Sequence, residues 1–123
     1  MDSRLSEREA HEQLHALEPI FHHAEVGAGR EVFDAMVSID YWEVGASGQV
    51  YTRDFVIDTL VERYAQAHQD VWVINDFAVR QLAGNVWLAT YELDQDGRLS
   101  RRATIWRRSG TGWIAEYHQG TLM

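Results

Sequence analysis

The chain has 123 residues, no cysteine and a formal net charge of −8, with 11 Lys and Arg against 19 Asp and Glu. That length suits one domain spanning residues 1–123, and the missing cysteines exclude disulfides and thiolate metal sites. The acidic balance repels phosphate backbones at long range, which argues against nucleic-acid binding.

Hydrophobic residues make up 46 % of the chain, with five Trp, five Tyr and four Phe, so there is apolar area for a core and disorder is not expected. No apolar run is long enough to cross a bilayer, and no membrane association is expected. The opening Met1-Asp2-Ser3-Arg4-Leu5-Ser6-Glu7 lacks the apolar stretch of a secretion signal, so the expected location is the cytoplasm.

The first half of the chain reads as helices. Ser6 with Glu9 makes a capping box, and Leu5, Ala10, Leu14 and Leu17 follow at helical spacing. Pro19 should end this helix near Glu18. A connector with Gly27 and Gly29 leads to a short second helix, about Arg30 to Met36, with Val32, Phe33, Met36 and Val37 as its apolar face. Ile39 to Val44 reads as a short strand and Gly45-Ala46-Ser47-Gly48 as a turn. Thr52 or Asp54 can cap a third helix running to about Ala67, burying Phe55, Val56, Leu60 and Tyr64.

After that the period changes. Val71–Leu82, Asn85–Leu93, Leu99–Arg108 and Trp113–Gln119 are rich in β-branched and aromatic residues. Turn signals separate them at Ala83-Gly84-Asn85, Asp94-Gln95-Asp96-Gly97 and Ser109-Gly110-Thr111-Gly112. Four strands joined by short turns make an antiparallel meander, and helices before sheet make a segregated α+β domain.

The turn centres set the strand faces. A turn at Asp96-Gly97 puts Tyr91 opposite Arg102 and Glu92 opposite Arg101. A turn at Gly110-Thr111 puts Trp106 opposite Ala115, Thr104 opposite Tyr117 and Arg102 opposite Gln119. One face then carries Trp87, Tyr91, Arg102, Thr104, Trp106, Tyr117 and Gln119. The other carries Leu88, Thr90, Glu92, Ala103, Ile105, Ile114, Glu116 and His118. A slip or bulge would exchange the sets on a strand.

Three stretches carry a resemblance: Tyr41-Trp42-Glu43-Val44-Gly45-Ala46-Ser47-Gly48, Arg102-Ala103-Thr104-Ile105-Trp106-Arg107-Arg108, and Trp113 through His118-Gln119-Gly120-Thr121. They resemble the nuclear transport factor 2-like superfamily, in the branch described as domain of unknown function 4440. The resemblance implies a cone-shaped, cystatin-like roll of three N-terminal helices on a curved antiparallel sheet. It also implies a homodimer and a pocket between helices and sheet. Relatives of this kind include ketosteroid isomerases, SnoaL-like polyketide cyclases and the association domain of calcium/calmodulin-dependent kinase, so fold alone does not decide function.

His11-Glu12-Gln13-Leu14-His15 matches H-E-x-x-H, a zinc-helix pattern. The metzincin extension fails, with Glu18 at its glycine position and Phe21 at its third histidine position. His11 and His15 are therefore expected to flank the core stripe and face water. His22, His23 and Glu25 make another unconvincing metal set. No metal and no cofactor are expected.

Glu43 and His118 are the candidates for catalysis, as a carboxylate among rings and a histidine in the sheet. Each also has a structural reading: an ion pair with an arginine such as Arg102 for Glu43, and a hydrogen-bonded interface position for His118. Tyr91, Arg102, Thr104, Trp106, Tyr117 and Gln119 are the expected ligand lining, with Arg102 able to clamp a carboxylate. The leading expectation is a small-molecule-binding domain whose ligand can be anionic. An isomerase, cyclase or dehydratase using proton transfer, and a homo-oligomerisation module, are the alternatives.

Overall fold

The computed structural model describes residues 5–21, 30–64 and 72–123. Helix α1 (Glu7–Leu17) starts at Ser6, whose side chain accepts from the Glu9 backbone N–H while the Glu9 carboxylate accepts from the Ser6 N–H. These reciprocal bonds satisfy two amide donors that a helix start otherwise leaves open. Ala10 and Leu14 are fully buried on its inner face. At Glu18 the chain tightens into a 3₁₀ turn, Glu18–Phe21, that contains Pro19.

Helix α2 (Arg30–Met36) runs directly into strand β1 (Val37–Val44). A turn closed by the Gly48 N–H donating to the Gly45 carbonyl at 2.8 Å returns the chain as β2 (Val50–Thr52). Helix α3 (Arg53–Tyr64) follows, with the Thr52 hydroxyl accepting from the Phe55 N–H at 3.3 Å. Four long strands then run as β3 (Trp72–Ala83), β4 (Val86–Gln95), β5 (Arg98–Ser109) and β6 (Gly112–Leu122). Asp96 and Gly97 both have positive φ, 54° and 93°, as a two-residue hairpin turn of the right twist requires.

The sheet order is β2-β1-β6-β5-β4-β3. The C-terminal meander is antiparallel as expected. The sequence reading needs two changes. First, β1 lies parallel to β6 and β2 extends the edge, so the sheet has six strands and is not wholly antiparallel. Second, α3 comes after β1 and β2, so the three helices do not all precede the sheet. A three-residue strand beside a helix cap is too short to show a period of two.

The inner face follows the β4 alternation, in which Trp87, Ala89, Tyr91 and Leu93 are buried. Trp106, Trp113 and Ala115 continue it on β5 and β6, and Phe33, Val56, Ile57 and Leu60 close it from the helices. No described helix is long and apolar enough to cross a membrane.

A register shift on β6 decides which face each site residue takes. Trp106 lies opposite Ala115 as expected, yet Ile105 lies opposite Tyr117, so Glu116 is an extra residue. Beyond this bulge Thr104 faces His118, not Tyr117, and Arg102 faces Gly120, not Gln119. Tyr117 and Gln119 thus join the outer face, and His118 moves to the inner one.

His11 departs from expectation and His15 follows it. The His11 Nε2 donates to the Phe77 carbonyl at 3.0 Å, and both histidine rings stand edge-on to the Phe77 ring, with centroids at 5.0 and 4.9 Å. His11 is half-buried against β3, whereas His15 stays exposed as expected. Among the described residues no group of three or more His, Cys, Asp or Glu is placed to share an ion. His22, His23, Glu25, Gly27, Gly29, residues 65–67 and the Tyr64 side chain lie outside what is described.

Leu14 touches core on every side, whereas the Arg8–Glu12 pair is an exposed helix-surface contact at 3.6 Å. Leu14→Ala should therefore lower unfolding free energy by about 2–5 kcal/mol. Arg8→Ala should change it by less than about 0.5 kcal/mol. Urea denaturation midpoints at constant slope check both.

Candidate functional site

The inner face holds a polar network inside an aromatic core. Its centre is Glu18, fully buried at the end of α1. The Tyr91 hydroxyl donates to its Oε2 at 2.8 Å and the Trp106 Nε1 to its Oε1 at 2.8 Å. The Thr104 hydroxyl also bonds this carboxylate. Burial pushes Glu18 up from 4.5 to about 7, and these donors hold it from going higher.

His118 stands beside Thr104, with its Nδ1 2.7 Å from the Thr104 Oγ1. A threonine has a single hydroxyl proton. With that proton directed to Glu18, the His118 Nδ1–H donates to Thr104 and Nε2 keeps the lone pair. Burial drives His118 from 6.5 down to about 3, helped by the nearby Arg102 charge, so the ring is neutral at ordinary pH. Glu18, Thr104 and His118 thus form one buried polar cluster.

Glu43 lies next to this cluster, opposite His118 across the parallel β1–β6 pairing. The Tyr41 hydroxyl donates to it at 2.7 Å. Burial raises the Glu43 pKa, while the Tyr41 bond and the charges of Arg102 and Arg63 pull it down. Glu43 also lines a cleft of about 310 Å³ between α3 and the β1–β2 hairpin, together with Tyr51, Phe55, Val56, Thr59, Leu60 and Arg63. The Tyr51 and Phe55 rings stack there with centroids 5.0 Å apart.

Thus Tyr91, Arg102, Thr104, Trp106, Glu43 and His118 come together on the inner side. Tyr117 and Gln119 do not. Tyr117 packs on Trp42 on the outer face, with centroids at 4.6 Å, and bonds Gln119 at 2.5 Å. A second groove of about 420 Å³ is lined by residues of both faces, among them Asp76, Tyr91, Glu92, Arg101, Arg102 and Gln119.

Sequence reasoning missed Glu18, Tyr41 and the α3 cleft. A signal for Glu18 was present: Ala10, Leu14 and Glu18 stand four residues apart on one helix stripe. A carboxylate continuing a buried stripe must have buried donors waiting for it.

Glu18 and His118 act on stability in opposite directions. Glu18 binds its proton more tightly when folded, so it makes stability fall as pH rises from 4.5 to about 7. His118 binds its proton less tightly when folded, so it makes stability rise with pH from about 3 to 6.5. Over the shared window the two slopes cancel. Relative to the unsubstituted protein, Glu18→Gln should gain stability with rising pH across this window, by roughly 3 kcal/mol in total. His118→Asn should show the opposite trend of similar size. Urea melts at several pH values measure both differences.

No protein-family model matches the sequence, and no curated protein matches it. Solved structures do match over nearly the whole chain. One is an uncharacterised protein with a cystatin-like fold from Caulobacter vibrioides, at 16 % identity and a TM-score of 0.71, covering 91 % of this chain and 88 % of that one. Another is a candidate association domain of calcium/calmodulin-dependent kinase II from Exiguobacterium sibiricum, at 17 % and 0.70, covering 99 % and 98 %. A third is a candidate dehydratase of the nuclear transport factor 2-like family from Streptomyces avermitilis, at 16 % and 0.70, covering 96 % and 99 %. The likeness is one of architecture. Helices packed on the inner face of this six-stranded sheet give the chain the nuclear transport factor 2-like, or cystatin-like, fold.

Proposed function

We propose that this domain binds a small, partly apolar molecule in the cleft between α3 and the β1–β2 hairpin, with the ligand's polar end at Glu43. The observation that carries this reading is the cleft itself: about 310 Å³ of space walled by Tyr51, Phe55, Val56 and Leu60 and lined also by the Glu43 carboxyl group. Apolar walls with a few convergent polar groups are the usual make-up of a ligand site. Phe55 is 53 % exposed at its mouth, and a bound apolar group would cover that ring.

The lining expected from sequence shifts accordingly. The polar atoms of Tyr91, Thr104 and Trp106 are engaged with Glu18 and His118. They act as a floor that holds the neighbouring site, and the ligand-facing side chains become Glu43, Thr59 and Arg63.

A panel of small aromatic alcohols, amides and acids should raise the melting temperature, since a ligand that binds only the native state stabilises it. Thr59→Trp, on the cleft wall, should fill the space and abolish the rise. Stabilisation that survives in Thr59→Trp, or none from any compound, overturns the cleft.

A second reading, proton-transfer catalysis, is favoured by the buried Glu18–Thr104–His118 cluster beside Glu43. A base must stand within hydrogen-bond reach of the proton it moves, and Glu43 lines the cleft. The fold shared with a candidate dehydratase is compatible with this reading, although a common fold does not carry an activity. Glu43→Gln should leave ligand-induced stabilisation within a few-fold in affinity and remove turnover of any substrate identified. Retained turnover sinks this version.

A further inference from the structure

We propose that Arg102 anchors an anion subsite that takes a ligand carboxylate, and that Gly120 is the residue whose missing side chain positions it. This rests on the cleft reading, because the subsite would hold the charged end of a molecule whose apolar part fills the cleft; Arg102 itself opens on the 420 Å³ groove, and Glu43 and Arg63, which line the cleft, are the charges that act on it.

Neutral partners hold the guanidinium. Arg102 is half-buried on the inner face, where its Nε donates to the Ser100 Oγ at 2.9 Å and its Nη2 to the Gln95 Oε1 at 3.4 Å. Both acceptors are neutral. Among the described residues no carboxylate reaches it, whereas Arg8, Arg30, Arg53 and Arg107 each pair with one. Its two Nη1 protons find no acceptor among those residues either. A partly desolvated cation with no carboxylate in contact is unfavourable, and a bound anion would relieve that cost.

Gly120 makes this placement possible. A Cβ built on it would lie 2.6 Å from the Arg102 Nη1, 2.7 Å from Cζ and 3.0 Å from Nε. The guanidinium therefore lies flat on the glycine. The backbone of Gly120 is outside the positive-φ region, unlike that of Gly97 or Gly110. Its conformation would admit any residue, so what requires glycine here is the close approach of the arginine. The Glu116 bulge is what brings Gly120, and not Gln119, opposite Arg102.

The surrounding charge points the same way. Arg98 and Arg63 add positive potential at Arg102, and Glu43 opposes it. Arg63 and Glu43 also line the cleft. A chain of net charge −8 thus gathers three cations near one carboxyl group. A planar carboxylate matches the planar fork that Nη1 and Nη2 present.

Benzoate and benzamide test this, being alike in size and differing in charge. Titrated into the full chain and followed by backbone amide shifts, benzoate should bind about tenfold tighter or more. The preference should weaken with added salt. Arg102→Gln should erase the preference and leave benzamide binding intact, while Arg102→Lys should restore part of it. Gly120→Ala keeps every charge and should also reduce the preference, which a purely long-range field would not do.

Absent benzoate binding, benzoate no tighter than benzamide, or a preference that persists in Arg102→Gln overturns the subsite. Benzamide binding that Thr59→Trp blocks, without any benzoate preference, leaves the cleft standing and removes only the subsite. An Arg102-dependent preference that Thr59→Trp does not affect does the reverse.

Discussion

The burial of one carboxylate organises the interior of this protein. Glu18 sits at zero exposure where α1 ends, and an ionised group there is tolerable only with several donors directed at it. The donors come from β4 and β5, through Tyr91, Trp106 and Thr104. The first helix is thereby fixed to the middle of the sheet by directional bonds as well as by apolar contact. An apolar replacement at position 18 would leave the Tyr91 hydroxyl and the Trp106 N–H buried without this acceptor, and such losses cost more than the hydrogen bonds themselves contribute. The aromatic residues around Glu18 accordingly form a satisfied network, and the ligand space lies beside them.

The second constraint is the β6 bulge. On the hairpin side of Glu116 the β5–β6 pairing is regular and Trp106 meets Ala115. Downstream, one extra residue turns His118 and Gly120 inward and sends Tyr117 and Gln119 outward. Without it, Thr104 would face a tyrosine and its hydrogen bond to His118 would not exist. Arg102 would face a glutamine side chain in place of an open glycine. The Arg107–Glu116 contact at 3.8 Å lies at the bulge itself. Bulges commonly sit next to sites because they re-aim a side chain without altering the sheet around it.

These two features also explain what could be read from the chain beforehand. The capping box at Ser6, the turn at Asp96-Gly97 and the pairing of Tyr91 with Arg102 are local, and local rules carried them. So did the placement of Tyr91, Arg102, Thr104 and Trp106 on one face. The β6 bulge is not written in the hydrophobic pattern, since Tyr117 and His118 suit either face equally well. The parallel β1–β6 pairing joins segments some 75 residues apart, beyond any pattern confined to one window. Glu18 was legible in principle from the stripe of Ala10 and Leu14, but Pro19 marks it as a helix end, where a carboxylate is ordinarily solvated. Glu43 was legible as a residue type only; the cleft it lines is built from α3 and β2 together.

The sheet also divides its charges in a way composition alone conceals. On the outer face Arg101 stands opposite Glu92 and Arg107 lies near Glu116, so charge there is largely balanced. On the inner face Glu18 is met by neutral donors and His118 is held neutral, which leaves Arg102 and Glu43 as the principal charged pair of that interior. They influence each other without direct contact among the described interactions, one fixed on Gly120 and the other held by Tyr41. Two opposite charges kept apart by their own supports keep a polarised gap between them. A ligand with an acceptor at one end and a donor further along could bridge that gap, and the separate supports mean that neither side chain must reorganise to receive it.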